Sequence, residues 1–367
     1  MSIVIIGGGV AGAAAACLLG PSALVLERET GTHDKICGEF LSHEAQRYLA
    51  RLGMDLAALG AAPIHAIRLI HGRHRATARL PFTAAGLSRR TLDAALLARA
   101  EALGAEVRRG SLVRGLMDGT VELDGAGRIS ASTVFLATGK HELRGTRRNP
   151  PTPPEELVGL KMYFTLSPAE AADLAGHVEV VLFQGGYAGL QMVEGGTANL
   201  CLLMRRERFE AVGRSWPGVQ DALERECPHL RGRLQGAIPL LGRPLTIFRV
   251  PYGYVHAPGP HDVPGVFRLG DQACVIPSFS GDGVSIALHT AFAAVAACRA
   301  GSARDYHAHI RGDVAGQIGR ASMLYRAARA SPGLMVAAAR LWPGALPWAA
   351  RLTRIPGWAL AAQGIPA

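Results

Sequence analysis

The sequence is poor in lysine and has no clustered cysteines, and both features exclude functions. Lys35, Lys140 and Lys161 are the only lysines among 367 residues, so the formal net charge of +10 comes from arginines spread along the chain. A nucleic-acid-binding protein would cluster its basic residues, so we expect no nucleic-acid partner. The six cysteines lie far apart without a C-x-x-C pair, which argues against a metal site and a disulfide framework.

Long apolar runs are also absent. No stretch of about 18 uncharged apolar residues could span a membrane, and the first apolar run meets glycines without a basic leader, unlike a secretion signal. Together with the unpaired cysteines, these absences favour a cytoplasmic protein. Hydrophobic residues still make up 49% of the chain, which is enough for a large core and, at this length, about two domains.

A nucleotide-binding pattern opens the chain. An apolar β-type run over residues 2–6 leads into G-x-G-x-x-G at Gly7–Gly12 and a helical stretch over 13–19, and a second apolar run over 23–26 ends in Glu27. Such glycines let a pyrophosphate approach the helix N-terminus, and the acid accepts hydrogen bonds from a ribose. The pattern predicts a dinucleotide with an unphosphorylated adenosine ribose, as in FAD or NAD.

A second glycine-rich turn lies near the other end of the chain. Residues 265–271 predict a strand that closes on Gly270 and Asp271, and residues 277–284 precede a helical run over 285–298. Backbone N–H groups at such a helix start can stabilise negative charge, and Asp271 can accept hydrogen bonds from a polyol. Two such turns suit one long dinucleotide.

In this ordered set of motifs the chain resembles the FAD-dependent oxidoreductases of the aromatic hydroxylase (p-hydroxybenzoate hydroxylase-like) and geranylgeranyl reductase family. The resemblance covers roughly residues 1–300 and includes Lys35–Glu39, similar to the basic-x-x-Cys-Gly segment, Leu87–Asp93, similar to the Arg-x-x-Leu-Asp helix start, and strands over 105–113 that grip the adenine. It implies FAD as the cofactor. The residues that it implies for FAD binding are Gly7, Gly9, Ala11, Gly12, Glu27, Arg28, Cys37, Gly38, Arg89, Val113, Gly139, Asp271, Gly281, Gly283 and Val284.

The resemblance also implies an α/β fold. We expect a Rossmann-like FAD-binding domain of the three-layer ββα glutathione-reductase type, an inserted, mostly antiparallel substrate sheet, and a helical C-terminus. The expected order is FAD binding over 1–60, 88–150 and 263–300, substrate domain over 61–87 and 151–262, and helices over 301–367.

The antiparallel part of this prediction rests on alternating strands at 178–183, 187–193 and 198–204, joined partly by a Gly195-Gly196 turn. Tyr187, Leu190 and Met192 are candidates either to line the substrate cavity or to pack in the core. Prolines from Pro150 to Pro154 predict a stiff connector.

Three departures from family patterns bear on the reaction. Thr138-Gly139-Lys140 stands where many members have Asp-Gly, and in hydroxylases that aspartate is linked with FAD and NADPH binding; NADH or NADPH remains the expected reductant. The Trp-x-Trp-x-x-Pro pattern of flavin halogenases and the Tyr-x-Trp-x-Phe-Pro stretch of prenyl reductases are both absent.

The resemblance favours a monooxygenase that hydroxylates an aromatic or other electron-rich small molecule through a C4a-hydroperoxyflavin. A flavin-dependent alkene reductase or dehydrogenase is the alternative, and a halogenase is the second alternative. The catalytic candidates are Cys37, Pro277 and Tyr187. The substrate would be aromatic, quinone-like or polyprenyl, either free or bound to a carrier.

The C-terminal region alternates apolar clusters with Arg340, Arg351 and Arg354 and is broken by prolines over 332–358. This pattern predicts short amphipathic helices. They would either pack over the sheet or form an interfacial surface for peripheral membrane contact.

Overall fold

The computed structural model describes residues 3–117, 119–150, 154–260 and 262–366. The strands in this part of the chain are β1 Ile3–Ile6, β2 Ala23–Leu26, β3 Phe40–Leu41, β4 Ala62–His71, β5 His74–Gly86, β6 Glu106–Arg108, β7 Val113–Met117, β8 Thr120–Leu123, β9 Arg128–Ser130, β10 Val134–Leu136, β11 Leu157–Thr165, β12 Gly176–Phe183, β13 Gly186–Met192, β14 Ala198–Arg205, β15 Ile238–Pro239, β16 Leu245–Phe248 and β17 Val266–Arg268. The α-helices are α1 Val10–Leu19, α2 His43–Arg51, α3 Arg89–Ala102, α4 Pro168–Leu174, α5 Arg206–Ala211, α6 Trp216–Glu226, α7 Pro228–Leu234, α8 Gly283–Ala300, α9 Ala303–Ala330, α10 Pro332–Leu341, α11 Ala345–Leu352 and α12 Gly357–Ala362.

A five-stranded parallel sheet in the order β17-β10-β1-β2-β6 forms the middle layer of the first domain. Its strands are short apolar runs because both faces are covered. Ile5 and Phe135 point into the cluster with α1, α3 and α8, whereas Val4 and Leu136 point into the cluster with the three-stranded sheet β7-β8-β9. The predicted three-layer ββα arrangement is therefore confirmed.

Helix α1 packs tightly within this domain because its side chains are small. Residues 13–16 are four alanines without exposed surface, and the methyl groups let the helix lie between the parallel sheet, α3 and α8. The predicted helix over 13–19 begins earlier, at Val10, since Gly9 serves as its N-cap.

A second, nine-stranded sheet stands beside the first domain. Its main order is β15-β11-β14-β13-β12-β4-β5-β3. Strand β16 also pairs with β11, at residues 158–161, whereas β15 pairs with it at residues 164–165. Every pairing is antiparallel except that between β12 and β4, so the prediction of a mostly antiparallel sheet is confirmed. Helices from α4 to α7 cover one face.

The C-terminus is helical, as predicted. The long helix α9 packs against α8, and α10 and α11 lie over β5. No helix in the described ranges is long and apolar enough to cross a membrane. The predicted proline connector falls largely on 151–153, which lie outside the described residues.

Candidate functional site

The first glycine turn is held in a conformation that only glycine tolerates. Gly7 has a φ of +103°, and a Cβ on it would lie 2.5 Å from the carbonyl oxygen of Ala137. A Cβ on Gly12 would lie 1.9 Å from the oxygen of Gly7. The turn therefore brings the start of α1 directly against the ends of β1 and β10.

Glu27 lies at the end of β2, beside this turn. Its Oε2 accepts a hydrogen bond from the N–H of Gly8 (2.6 Å) and its Oε1 accepts one from the N–H of Glu29 (2.9 Å). A carboxylate offers about four acceptor positions, so both oxygens retain capacity for a ribose. Arg28 points to the exposed side and pairs with Glu29 (2.9 Å).

Two cations stand over the N-terminus of α1. Arg89 makes a bidentate ion pair with Asp93 (2.8 and 2.9 Å), and Lys35 reaches the same carboxylate (2.7 Å). Burial would raise the pKa of Asp93, but the charges of Arg89 and Lys35 outweigh it and hold that pKa below its ordinary value. A Cβ on Gly9 would be 3.4 Å from Arg89 Nη2 and 3.5 Å from Lys35 Nζ.

A third cation comes from the loop after β10. Lys140 pairs with Asp271 (3.2 Å), and attraction to that carboxylate raises the pKa of Lys140. Both side chains keep about a quarter of their surface exposed, at 27% and 25%. The departure from the Asp-Gly pattern thus places a positive charge against Asp271.

Two buried side chains fix that loop. Gln272 donates to the carbonyl oxygens of Gly139 (2.8 Å) and His141 (2.9 Å). Arg148 donates to those of Asp271 (2.8 Å) and Lys140 (3.0 Å). The loops after β10 and β17 therefore form one rigid unit.

The second glycine turn precedes α8. Gly281 has a φ of +70°, and a Cβ on it would lie 2.9 Å from the ring of Phe40. A Cβ on Gly283, at the first position of α8, would meet no atom within 4 Å, and the same holds at Gly38 and Gly139. Lys140 interacts electrostatically with Asp271, Cys37 and Arg89, so the surroundings of Gly9, Gly38 and Gly139 lie close together. We call this region, with the turn at Gly283, the glycine cleft.

The glycine cleft fits FAD on two grounds. Gly38, Gly139 and Gly283 leave room for a ligand to approach the backbone, and no side chain caps the first N–H groups of α1 and α8. Lys35, Arg89 and Lys140 supply positive charge, and the charges of Arg89 and Lys140 are close enough to interact. A diphosphate group matches this combination of space and charge.

The Cys37-Gly38 segment is hydrogen bonded to the nine-stranded sheet. Asn199 donates to the carbonyl oxygens of Cys37 (3.1 Å) and Gly38 (3.0 Å). Gln191 donates to that of Glu39 (2.8 Å). Side chains of β13 and β14 thus set the position of a backbone segment that belongs to the first domain.

A buried ion pair anchors the same segment, and the sequence analysis missed it. Glu39 and Lys161 are fully buried and paired; Glu39 Oε1 also accepts from the N–H of Arg89 (2.7 Å) and the hydroxyl of Tyr163 (2.7 Å). Burial raises the pKa of Glu39, although Lys161 counteracts the rise. Polar residues at alternate positions of β11, facing a segment with a basic-x-x-Cys-Gly pattern, were the available indication.

Two thiols share this region. Cys37 is half-buried, and Cys201 lies opposite Lys161 in the register of β14 and β11. Burial raises the pKa of Cys201 to about 12, so it stays a neutral thiol. Cys37 and Lys161 both influence the pKa of Cys201, which places the three groups near one another.

Aromatic side chains surround the loop that precedes Gly281. Tyr187 hydrogen bonds to Ser278 and packs edge-on against Phe279 and Tyr325, at centroid distances of 5.4 and 5.9 Å. Tyr252 lies 3.4 Å from Ser278 Oγ, and burial raises its pKa to about 12. Pro277 is buried beneath this loop.

Leu190 and Met192 pack in the core, which is one of the two roles that the strand pattern left open for them. Successive strand residues alternate between the two faces, so these even-numbered residues of β13 point into the core beneath α4 to α7. Tyr187, Gly189 and Gln191 occupy the face toward the first domain.

Three other predicted FAD-binding residues pack against neighbouring protein atoms. Ala11 packs at the start of α1, where a Cβ on Gly270 would lie 3.3 Å from its methyl group. Val284, the second residue of α8, is buried in the core, and Val113 is half-buried at the start of β7.

A group of potential metal ligands lies elsewhere. His256, Asp262 and His307 bring their ligand atoms within 4.8 Å of one another. His307 Nε2 accepts the N–H of Arg268 (3.0 Å), so the proton of the neutral ring sits on Nδ1 and that nitrogen cannot bind a metal.

Comparisons with known proteins define the fold. The sequence matches no protein-family model, and no curated protein is significantly similar to it. Among solved structures, the flavin-dependent brominase Bmp2 superposes with a TM-score of 0.79 at 16% identity, over 96% of this chain and 92% of that one.

Two further structures superpose well. A flavoprotein/dehydrogenase from Cytophaga hutchinsonii superposes with a TM-score of 0.71 at 17% identity, over 87% of this chain and 83% of that one. The myxobacterial chondrochloren halogenase CndH, an FAD-dependent halogenase, superposes with a TM-score of 0.67 at 21% identity, over 84% of this chain and 78% of that one. The chain thus has the fold of flavin-dependent halogenases and related flavoproteins.

Proposed function

We propose that the protein is an FAD-dependent oxidoreductase. The glycine cleft carries this proposal, since it joins two glycine turns, two helix N-termini and three cations around open space. Glu27 would hold the adenosine ribose, Arg89 and Lys35 the diphosphate, and Asp271 the ribitol. The solved structures with the same fold support the same cofactor.

When bound and reduced, FAD would supply two electrons and activate O₂. The protein's own groups would position the substrate and exclude water. The aromatic cluster of Tyr187, Tyr252, Phe279 and Tyr325 offers ring edges and faces to an aromatic or apolar substrate. Cys37, half-buried at the cleft, would donate or accept a proton at its sulfur.

Oxygen transfer to an electron-rich small molecule is the reaction that we favour. The absence of the Trp-x-Trp-x-x-Pro pattern of flavin halogenases supports it. Halogenation is the second candidate, supported by the halogenases among the structures that share this fold. NADH or NADPH would reduce the flavin.

The mass of the product tests the reaction. The FAD-loaded protein would be reduced with NADH or NADPH, or with dithionite if both fail, and mixed with O₂, bromide and phenol, pyrrole or indole as probes. We expect a product that has gained one oxygen atom, with or without bromide. A product that has exchanged hydrogen for bromine would instead establish halogenation, and gain of two hydrogens would establish reduction.

A further inference from the structure

The C-terminal helices expose an apolar stripe where a soluble protein normally places polar residues. The outer side of α10 carries residues at helical spacing, Leu334, Ala337, Ala338 and Leu341, and all four are exposed. Its inner side, with Val336 and Ala339, is buried. Apolar residues therefore occupy both the inner and the outer side of α10.

This stripe contains the most exposed apolar surface in the described part of the chain. Leu341 is 87% exposed and Leu334 72%, the two highest values among large apolar side chains there. Trp342 and Trp348 extend the stripe; they are about half exposed, and their rings lie 5.8 Å apart. We call Leu334, Ala337, Ala338, Leu341, Trp342 and Trp348 the tail face.

Positive charge surrounds the tail face without acidic counterparts. Asp313 is the last acidic residue of the sequence, and six arginines follow it. Arg340 and Arg351 are exposed near the tail face, and Arg340 Nη1 lies 3.3 Å from His74 Nδ1 in the β4–β5 hairpin, between Arg73 and Arg75. None of these four arginines forms an ion pair with a described residue.

We propose that the tail face docks on an anionic lipid surface. Leucine and tryptophan side chains would enter the boundary between headgroups and acyl chains, and the arginines would contact lipid phosphates. A second copy of the chain is a poorer occupant, since the same arginines would meet like charges across the contact.

The position of the tail face fits this role. The inner side of α10 packs in the same apolar cluster as Tyr187 and Tyr325. If the proposed function holds, docking would bring the wall of the substrate cavity beside the membrane, which suits a lipid-soluble substrate. Docking itself requires neither FAD nor catalysis.

Vesicle binding tests the proposal with the full chain. Co-sedimentation would be measured with phosphatidylcholine vesicles and with vesicles that also contain phosphatidylglycerol, at low and high salt. We expect binding to the anionic vesicles that weakens with salt. Brominated lipid should quench tryptophan fluorescence, and this quenching should decrease when Trp342 and Trp348 are replaced by phenylalanine.

Matched variants locate the surface. The double variant Leu341→Ser/Trp342→Ser should lose binding, whereas Ile238→Ser/Leu240→Ser, at exposed positions near β15 on the opposite edge of the sheet, should retain it. Arg340→Gln and Arg351→Gln should each weaken binding about five-fold. Circular dichroism would verify that each variant is folded.

Three results would overturn the proposal. These are absence of binding to anionic vesicles, equal loss in both double variants, and self-association or capture of an acidic carrier protein through the tail face while vesicles are ignored. Activity plays no part in these readouts, so failure of docking and failure of the proposed reaction are separate outcomes.

Discussion

At the scale of single residues, the open glycines make the cofactor proposal testable without unfolding the protein. A leucine at Gly283 would meet no atom near its Cβ, so the fold should persist, but the side chain would occupy the glycine cleft. We expect Gly283→Leu to weaken FAD binding at least ten-fold, or about 1.4 kcal/mol, as measured by flavin fluorescence titration. Gly312→Leu, at an equally open position in α9, should bind FAD normally; equal affinity of both variants would contradict the assignment.

His307 should make the protein sensitive to acid. Burial, with neighbouring His256, lowers its pKa to about 3, so the folded state holds the ring neutral while the unfolded state protonates it near pH 6.5. Stability is therefore complete above that pH and should fall by about 1.4 kcal/mol per pH unit between roughly pH 5.5 and 3.5.

Urea unfolding at several pH values measures this slope. His307→Gln, which keeps an acceptor for the N–H of Arg268, should flatten it, whereas His309→Gln, at a half-exposed position on the same helix, should not. An unchanged slope in His307→Gln would show that other groups cause the acid sensitivity.

The sequence predicts some of these residues and not others for a physical reason. Gly7 and Gly12 are required by the local geometry of one turn, so a short motif reveals them. Glu39 and Lys161 are separated by 122 positions, and the alternating polar residues of β11 indicate a polar face without identifying the partner of Lys161. A long-range pair of this kind can be recognised only when the fold is known.

At the scale of elements, the C-terminal segment holds the second glycine turn in place. Arg354, which is buried, donates to Asp282 (3.0 Å) and to the carbonyl oxygen of Ser280. Burial raises the pKa of Asp282 to about 7, and Arg354 opposes that rise. Loss of the arginine would leave a buried carboxylate without its cation.

We expect Arg354→Leu to lower the free energy of unfolding by about 3 kcal/mol or more, because breaking a buried ion pair from one side is costly. Arg351→Leu, at an exposed position in the same segment, should change it by no more than about 0.5 kcal/mol. Chemical denaturation measures both. Similar values for the two variants would show that the contact does not stabilise the turn.

Elements with a clear period were predictable from sequence, but their orientation was not. Alternation and turn residues identify β12, β13 and β14 to within a few positions. Both faces of β13 carry apolar or aromatic residues, so the pattern alone does not tell which face meets the first domain. For this reason the sequence left open whether Leu190 and Met192 line the cavity or pack in the core.

At the scale of the whole molecule, the two sheets contribute different parts of the candidate site. The parallel sheet and its helices carry the two glycine turns, and β13 and β14 contribute the side chains that hold the Cys37-Gly38 segment. The three-layer fold was predictable through the resemblance carried by the two glycine turns. The parallel pairing of β4 with β12, about a hundred residues apart, was not, because it depends on tertiary packing.

FAD content of the purified chain tests the central claim most directly. The protein would be saturated with FAD, freed of excess cofactor by gel filtration, and assayed for flavin absorbance against protein concentration. The account predicts one FAD per chain, with an absorbance spectrum distinct from that of free FAD. A colourless protein that retains no flavin after loading, although it is folded by circular dichroism, would contradict it.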